Sequence, residues 1–510
     1  MSVFLGVDAG TTSMKAALFD LDGRILGLAS AEYQLDTPAA ARVELDAEIY
    51  WQTCCKVVRK AVALSGLQPG EVAGLVISSQ GETFVPVDKA GRPLRKAIVW
   101  LDNRAVQEAL DLRAAFDPLE FYHATGQPES VPAWPACKIL WLRRNEPDVF
   151  EKASHFLLLE DYLILCMTGE LVTSSALQTS SLFLDIRSRD WWQPMLDAVG
   201  LEKGRFGRLV DPGTQVGKLS PAAAQLLGLT TDCFIASGGM DQVVSAVGAG
   251  NTAAGVVTET TGTALVALVS FARPAYDPGG RLPCHIHAAP GAYAVMPWCQ
   301  TAGMALRWFR DQFFGLETTL AGQKGFDPYV EMTDQAGQVP PGSEGLVVLP
   351  HLEGTASPEY NPYARAVFYG ATLRHTRAHF VRGILESVAY MLRKNLALIE
   401  GMGVPIAEVR SLGGGARSPL WLQIKADVLQ KPIIALENEE TSCLGASLMA
   451  ATAAGQFSSL EEGAARMVRV KRRFYPNPAN AAAYERSYAA YLELYERLEP
   501  MFRTSEESHP

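Results

Sequence analysis

Two stretches of the chain share one pattern, and that pattern constrains the fold more than any other feature. Val3–Val7 reads as an apolar strand ending at Asp8, a Gly-Thr-Thr turn follows at 10–12, and a second strand runs through Met14–Phe19. Past the middle, Ala254–Thr258, a turn at Thr260–Thr263 and Ala264–Ser270 repeat the order strand, Gly/Thr turn, strand. A short echo of this kind is what an internally duplicated fold leaves in a sequence. At 510 residues the chain also exceeds what one hydrophobic core ordinarily supports, so two large domains are expected.

The first copy continues through an Asp-Gly turn at Leu21–Arg24, a pair that tolerates the positive φ of tight hairpins, into a third strand over Ile25–Tyr33. A helix is expected around Asp46–Ser65 and a buried strand at Val72–Ser78. Tightly turned strands at the start predict a mixed α/β sheet. The apolar strand Cys233–Ser237 leads into a turn, Gly238–Gln242, with a domain boundary placed near 248. In the second half, apolar residues three or four apart predict a helix over His379–Glu400, stopped by Gly401 and Gly403. A Gly413–Gly415 loop precedes a helix through Trp421–Leu429, and Ala481–Leu498 reads as an amphipathic surface helix packed on the second domain. The expected division is 1–248, 249–475 and a C-terminal helix and tail, 476–510.

Composition serves mainly to exclude. A formal net charge of −10 disfavours non-specific nucleic-acid binding, which needs Lys and Arg to neutralise phosphates. It leaves room for an anion held locally by backbone N–H groups and a metal. No basic segment precedes an apolar run at the start, and no apolar stretch reaches about 18 residues, so neither a secretory signal nor a membrane span is expected. Eight scattered cysteines without a Cys-x-x-Cys pair read as reduced thiols of a cytoplasmic protein. Cys284-His285-Ile286-His287 supplies at most two convergent ligands on one strand and is not read as a metal site.

Several short motifs carry chemistry. Asp8-Ala9-Gly10-Thr11-Thr12 can cradle a phosphate: the Gly lets backbone approach, N–H groups and hydroxyls donate, and Asp8 can hold Mg²⁺. The same residues also make an ordinary Asp-started hairpin, and no Walker loop is present. Thr261-Gly262-Thr263 could embrace phosphates from a facing domain, although Thr-Gly-Thr is common in strand turns. Gly413-Gly414-Gly415-Ala416-Arg417-Ser418 would let a flat adenine ring lie on backbone, or would simply be a loop with Ser418 as a helix cap. Asp241 could accept the proton of an attacking hydroxyl, or be a turn aspartate. Gln80-Gly81-Glu82-Thr83 and Trp100-Leu101-Asp102-Asn103-Arg104 mix acids, amides and an aromatic as polyol sites do, and each could equally be a solvated loop.

The order of these motifs resembles the FGGY carbohydrate kinase family over about Phe4 to Tyr475, and within it xylulokinases most. The most specific stretches are Asp8–Lys15, Trp134–Leu142 and Gly413–Pro432. The resemblance implies two ribonuclease-H-like domains of the actin and hexokinase type, with ATP and Mg²⁺ in the cleft between them. It implies Asp8, Thr11 and Thr12 at the first phosphate motif, Asp8 at the metal, Asp241 as catalytic base and Gln242 beside it at the substrate. Thr261, Gly262 and Thr263 match the second phosphate loop, Gly303 and Arg307 contact the nucleotide, and Gly414, Gly415 and Ser418 lie at the adenosine. Gly81, Glu82, Trp100 and Asp102 are the remaining acceptor positions.

At 81–83 the chain departs from its models. Xylulokinases usually show Met-His-Gly there and glycerol kinases Arg-Glu-Thr, whereas this chain has Gly81-Glu82-Thr83. The loss of Arg leaves space for an acceptor larger than glycerol, a four- or five-carbon ketose or polyol such as D-xylulose. The alternative is a glycerol- or erythritol-type polyol kinase. An actin- or chaperone-like ATPase would not need the polar loops at 80–83 and 100–104. A sensor that had lost catalysis would lack Asp8 or Asp241. The expected partners are a small sugar or polyol, with no nucleic acid and no membrane, and a homodimer is the assembly to test.

Overall fold

The computed structural model describes residues 3–325 and 327–504. The end of the expected tail, 505–510, lies outside the described residues.

In the first half, six strands lie in the order Ile25–Glu32, Ser13–Phe19, Val3–Ala9, Val72–Ser79, Phe234–Met240, Gln215–Lys218. Their successive junctions are antiparallel, antiparallel, parallel, parallel and antiparallel. In the second half the order Tyr293–Val295, Leu265–Phe271, Val256–Thr261, Glu408–Leu412, Ile433–Leu436, Val470–Phe474 repeats the same succession of directions. Cys284–Ile286 and Trp298–Cys299 add pairings to the second sheet. The strand–turn–strand echo is therefore the visible part of a complete duplication: the ribonuclease-H-like topology built twice, as in actin and hexokinase.

The central strands are apolar on both faces because both faces are covered. Phe4, Leu5, Val7, Leu75, Val76 and Ile77 are fully buried. Helix Ala47–Ser65 packs against the first sheet's hairpin strands, while helix Thr441–Ala453, from the far end of the chain, packs on Val3–Ala9 and Val72–Ser79. That helix also meets Asp241–Gly248 where the two sheets adjoin. Glycine makes the approach possible: a Cβ on Gly445 would lie 2.0 Å from the Val244 carbonyl oxygen, and one on Gly248 would lie 1.9 Å from that of Thr441.

A further five-stranded sheet, ordered Asp36–Ala39, Arg42–Leu45, Ala97–Ile98, Phe84–Val87, His155–Leu158, stands beside the first and carries Glu82, Trp100 and Asp102 at its margins. One sequence expectation is corrected. Strand Phe234–Met240 continues through Gly238 and Gly239, so Asp241 begins a helix, Asp241–Gly248, instead of sitting in a turn. The amphipathic helix read at Ala481–Leu498 forms over Pro478–Thr504 and packs on the second half through buried Tyr484, Tyr491, Tyr495 and Phe502. The helix read at 379–400 forms over Arg377–Gly401. Among the described residues no helix is long and apolar enough to cross a membrane, and all eight cysteines are free.

Candidate active site

Parallel pairing brings the ends of three strands to one edge: Asp8 pairs with Ser78, and Gly239 pairs with Ser78 from the other side. Crevices outside the carboxyl ends of such strands are where open α/β sheets take ligands. The Gly10–Thr12 loop there is braced from three directions. Tyr33 Oη donates to the Gly10 carbonyl, Gln80 Nε2 donates to the same oxygen at 3.2 Å, and Trp100 Nε1 donates to Thr11 Oγ1 at 2.8 Å. Thr12 is exposed. Asp8 faces Lys15 in hairpin register, and Lys15 is ion-paired to Glu440 at 2.6 Å. Burial pushes the Asp8 carboxyl up to about 6; Lys15 opposes the rise and Glu440 adds to it.

Asp241 owes its position to a clamp on the preceding backbone. The Gly238 N–H donates to Glu160 Oε1 at 2.6 Å, and Ser174 Oγ donates to the Gly238 carbonyl at 2.9 Å. A Cβ at Gly238 would lie 1.9 Å from the Ile77 carbonyl oxygen, so no larger residue fits. The strand pairing with Val72–Ser79 shifts register between Ala236 and Gly239, which sets where the chain leaves the sheet. Asp241 Oδ1 accepts the Gln242 N–H at 2.7 Å. Burial first, then the charges of Asp8 and Glu82, together raise the Asp241 carboxyl to about 7 against the opposing hydrogen bonds from Gln242. Asp8, Glu82 and Asp241 thus form one acidic cluster at the sheet edge.

Glu82 is half-buried, and burial raises its carboxyl; Ser180 and the Lys138 ammonium oppose that. Lys138 is fully buried and donates to the carbonyls of Glu82 (3.2 Å) and Val99 (3.0 Å), so it fixes the backbone at both the 80–83 and the 100–104 loops. Trp100 spends its indole N–H on Thr11 and its backbone N–H on Thr83 Oγ1, linking the 80–83 loop to the Gly10–Thr12 loop. Asp102 does not present its carboxylate to an acceptor. It is fully buried, taking the Val43 N–H at 2.6 Å and the Arg104 guanidinium at 2.8 and 2.7 Å. The space read at Gly81 is also smaller than expected, since a Cβ there would meet Ser180 and Met240 at 3.0–3.2 Å.

Across the cleft, a cavity of about 720 Å³ is lined by Thr261, Gly262, Thr263, Gly303, Arg307, Gly414, Gly415 and Ser418. Every nucleotide position read in the second half therefore falls on one cavity, of a size suited to a ligand of nucleotide dimensions. Trp308, Tyr329 and Asp334 also line it. The loop at 261–263 docks on the start of helix Gly303–Phe313: the Gly303 N–H donates to the Gly262 carbonyl at 2.9 Å, and the N–H groups of Ala302 and Met304 donate to that of Thr263. Thr261 differs from expectation, because its hydroxyl turns inward to Glu259 (2.7 Å) and Lys425 (2.8 Å). Ser418 caps helix Pro419–Leu429 through the Trp421 N–H at 3.3 Å and still lines the cavity.

Sequence reasoning missed Lys138, Glu160, Glu259 and Lys425. The available signal was a charged residue inside an otherwise apolar run, as in Lys138-Ile139-Leu140-Trp141-Leu142. Among the described residues no group of three or more His, Cys, Asp or Glu stands in a metal-ligating arrangement. A Mg²⁺ ion needs only one or two carboxylates when phosphates and water supply the rest, and the half-buried Asp8 fits that role.

Comparison with known proteins agrees with this layout. Residues 3–248 match the N-terminal domain of the FGGY family of carbohydrate kinases, and residues 257–454 match its C-terminal domain. The chain is 31% identical to a xylulose kinase of Lactococcus lactis over 100% of this chain and 98% of that one. It is 29% identical to a gluconokinase of Bacillus subtilis, covering 98% and 97% of the two chains. The crystal structure of xylulose kinase from Rhodospirillum rubrum superposes with a TM-score of 0.89 at 30% identity, covering 98% of this chain and 100% of that one. With two facing halves, a nucleotide-sized cavity on one and an acidic cluster on the other, the chain belongs to the FGGY family of carbohydrate kinases and is a phosphotransferase with a sugar hydroxyl as acceptor.

Proposed function

We propose that the chain transfers the γ-phosphoryl group of ATP to a hydroxyl of a neutral four- or five-carbon ketose or polyol, with D-xylulose, giving D-xylulose 5-phosphate, as the first candidate. The observation that carries this reading is the acidic cluster of Asp8, Glu82 and Asp241. The two cations whose charges act on it are already committed, Lys15 to Glu440 and Lys138 to two backbone carbonyls. A carboxylate acceptor such as gluconate would meet like charge there, and like charges in such proximity disfavour binding. A neutral polyol meets carboxylates that accept its hydroxyl protons and carries no charge for them to repel.

In this reading residues 1–248 hold the acceptor and the first phosphate loop, 249–475 hold the nucleotide, and 476–510 form the C-terminal helix and tail. Asp241 takes the proton of the attacking hydroxyl, while Glu82 and Gln242 orient the acceptor. Thr11 and Thr12 from one side, and the 261–263 loop from the other, flank the β- and γ-phosphates. Asp8 would hold Mg²⁺, which offsets phosphate charge when bound. Phosphoryl transfer is mostly positioning and charge stabilisation, so closure of the two halves matters as much as any one side chain. Eight free thiols support a reducing, cytoplasmic setting.

The deciding experiment is ADP release with Mg-ATP across D-xylulose, L-xylulose, D-ribulose, L-erythrulose, erythritol, glycerol and gluconate. A neutral ketose or polyol of four or five carbons is expected to give the highest kcat/KM. Gluconate or glycerol as the best acceptor would sink the assignment, and turnover independent of acceptor would favour an ATPase.

A further inference from the structure

Under the nucleotide cavity lies a charged pair wholly removed from water. Lys425, on helix Pro419–Leu429, and Glu259, on strand Val256–Thr261, have fully buried side chains with Nζ 2.6 Å from Oε1. Lys425 Nζ also donates to Thr261 Oγ1 at 2.8 Å, and that hydroxyl donates to Glu259 Oε2 at 2.7 Å. Ser411 Oγ donates to Glu259 Oε1, and the ammonium stands 5.2 Å from the centre of the Trp421 ring. Four side chains thereby join three segments: the strand that runs into the 261–263 loop, the strand Glu408–Leu412 that runs into Gly413–Ser418, and the helix that begins after Ser418. Thr261, the Gly414–Ser418 loop that follows the second strand, and Pro419 and Trp421 of the helix all line the cavity.

Stability alone is a poor reason for such a pair. Taking both charges out of water is costly, and apolar residues of similar volume commonly hold a core as well or better. What an ion pair adds is a fixed geometry, here between two loops that come from separate parts of the chain. We propose that Lys425 and Glu259, acting through Thr261 and Ser411, are positioning residues that set the spacing of the two nucleotide-binding loops, and so tune affinity for the nucleotide and not for the acceptor. This rests on reading the cavity as the nucleotide site.

The test measures Mg-ADP affinity by calorimetry, both KM values and thermal unfolding for the unmodified chain, Lys425→Met, Glu259→Gln, Thr261→Val, Thr261→Ser and the double variant Lys425→Met/Glu259→Leu. The single charge variants strand a buried charge and can fail to fold; the double variant and the Thr261 pair do not, and they decide the matter. The double variant and Thr261→Val are expected to weaken Mg-ADP binding and raise the KM for ATP by about tenfold, with the KM for the acceptor unchanged. Thr261→Ser keeps the hydroxyl and should restore nucleotide affinity. Unmodified Mg-ADP affinity in the folded double variant would overturn the proposal, and so would an equal rise in both KM values. If the unmodified chain bound no Mg-ADP, the nucleotide reading would fall and take the proposal with it.

Discussion

At the scale of single residues, Asp241 has to be buried enough to be basic and ionised enough to act. Its carboxyl is raised to about 7, first by burial and then by Asp8 and Glu82, which suits a general base working near neutrality. Below that value the folded protein holds a proton on Asp241, and the base cannot accept another. We therefore expect kcat/KM for the acceptor to fall as pH drops through about 7, with the acid limb reporting the coupled cluster instead of one residue. Glu82→Gln removes one of the acidic charges and should move that limb to lower pH, even while it weakens acceptor binding. A limb that stayed in place would mean that Glu82 does not act on Asp241. Asp241→Ala should lower kcat by roughly 10²–10⁴ with Mg-ADP binding intact. Near-normal turnover would rule out Asp241 as the base.

Elements, more than residues, determine where the proposed base points. Strand Phe234–Met240 must release the chain at Asp241 in the right direction, and Glu160 on helix Leu159–Thr168 holds the Gly238 N–H that sets the exit. Burial raises the Glu160 carboxyl well above the usual range, but its carbonyl oxygen accepts a hydrogen bond whether or not the group is protonated. Glu160→Gln keeps that acceptor; Glu160→Leu leaves a buried N–H unpaired, at a cost of about 1–3 kcal/mol. We expect the Leu variant to lose at least about tenfold in kcat with the KM for ATP unchanged, and the Gln variant to stay near the parent. Equal behaviour of the two would show that the hydrogen bond does not aim Asp241.

For the whole molecule, the two sheets meet through a pair of helices, Asp241–Gly248 and Thr441–Ala453, whose backbones approach over Gly248 and Gly445. One of these helices begins with Asp241, the proposed base, and the other lies against strand Val3–Ala9, which carries Asp8. Any change of their separation is therefore transmitted to the cleft. A methyl at Gly445 would lie 2.0 Å from the Val244 carbonyl oxygen, and backbone cannot yield as a side chain does. Gly445→Ala should lower stability by about 1–3 kcal/mol or more. It should also lower kcat further than it weakens Mg-ADP binding, because the nucleotide cavity lies within one half while transfer needs both. Thermal unfolding and steady-state kinetics check this, and an unchanged melting temperature would show that the helices can separate without cost.

The sequence by itself determined what is local. Asp8 followed by Gly10, Thr11 and Thr12, the second Gly/Thr turn, and the apolar stripe of helix Arg377–Gly401 are patterns of near neighbours, so propensity and spacing carry them. The motifs from Thr261 to Ser418 that the sequence suggests for a nucleotide fall on one cavity. Tertiary structure alone decided which polar groups are free to act. Asp102 looked like a sugar ligand until Arg104 and Val43 were found occupying its carboxylate, and Thr261 looked like a phosphate contact until its hydroxyl was found turned to Lys425. Lys425 and Glu259 are 166 residues apart, Glu160 and Gly238 are 78 apart, and Lys15 and Glu440 are 425 apart. A hydrogen-bonding side chain looks the same in sequence whether its partner is a ligand or another part of the chain. Which of the two it meets depends on how distant segments pack, and on the cost of leaving a buried polar group without a partner.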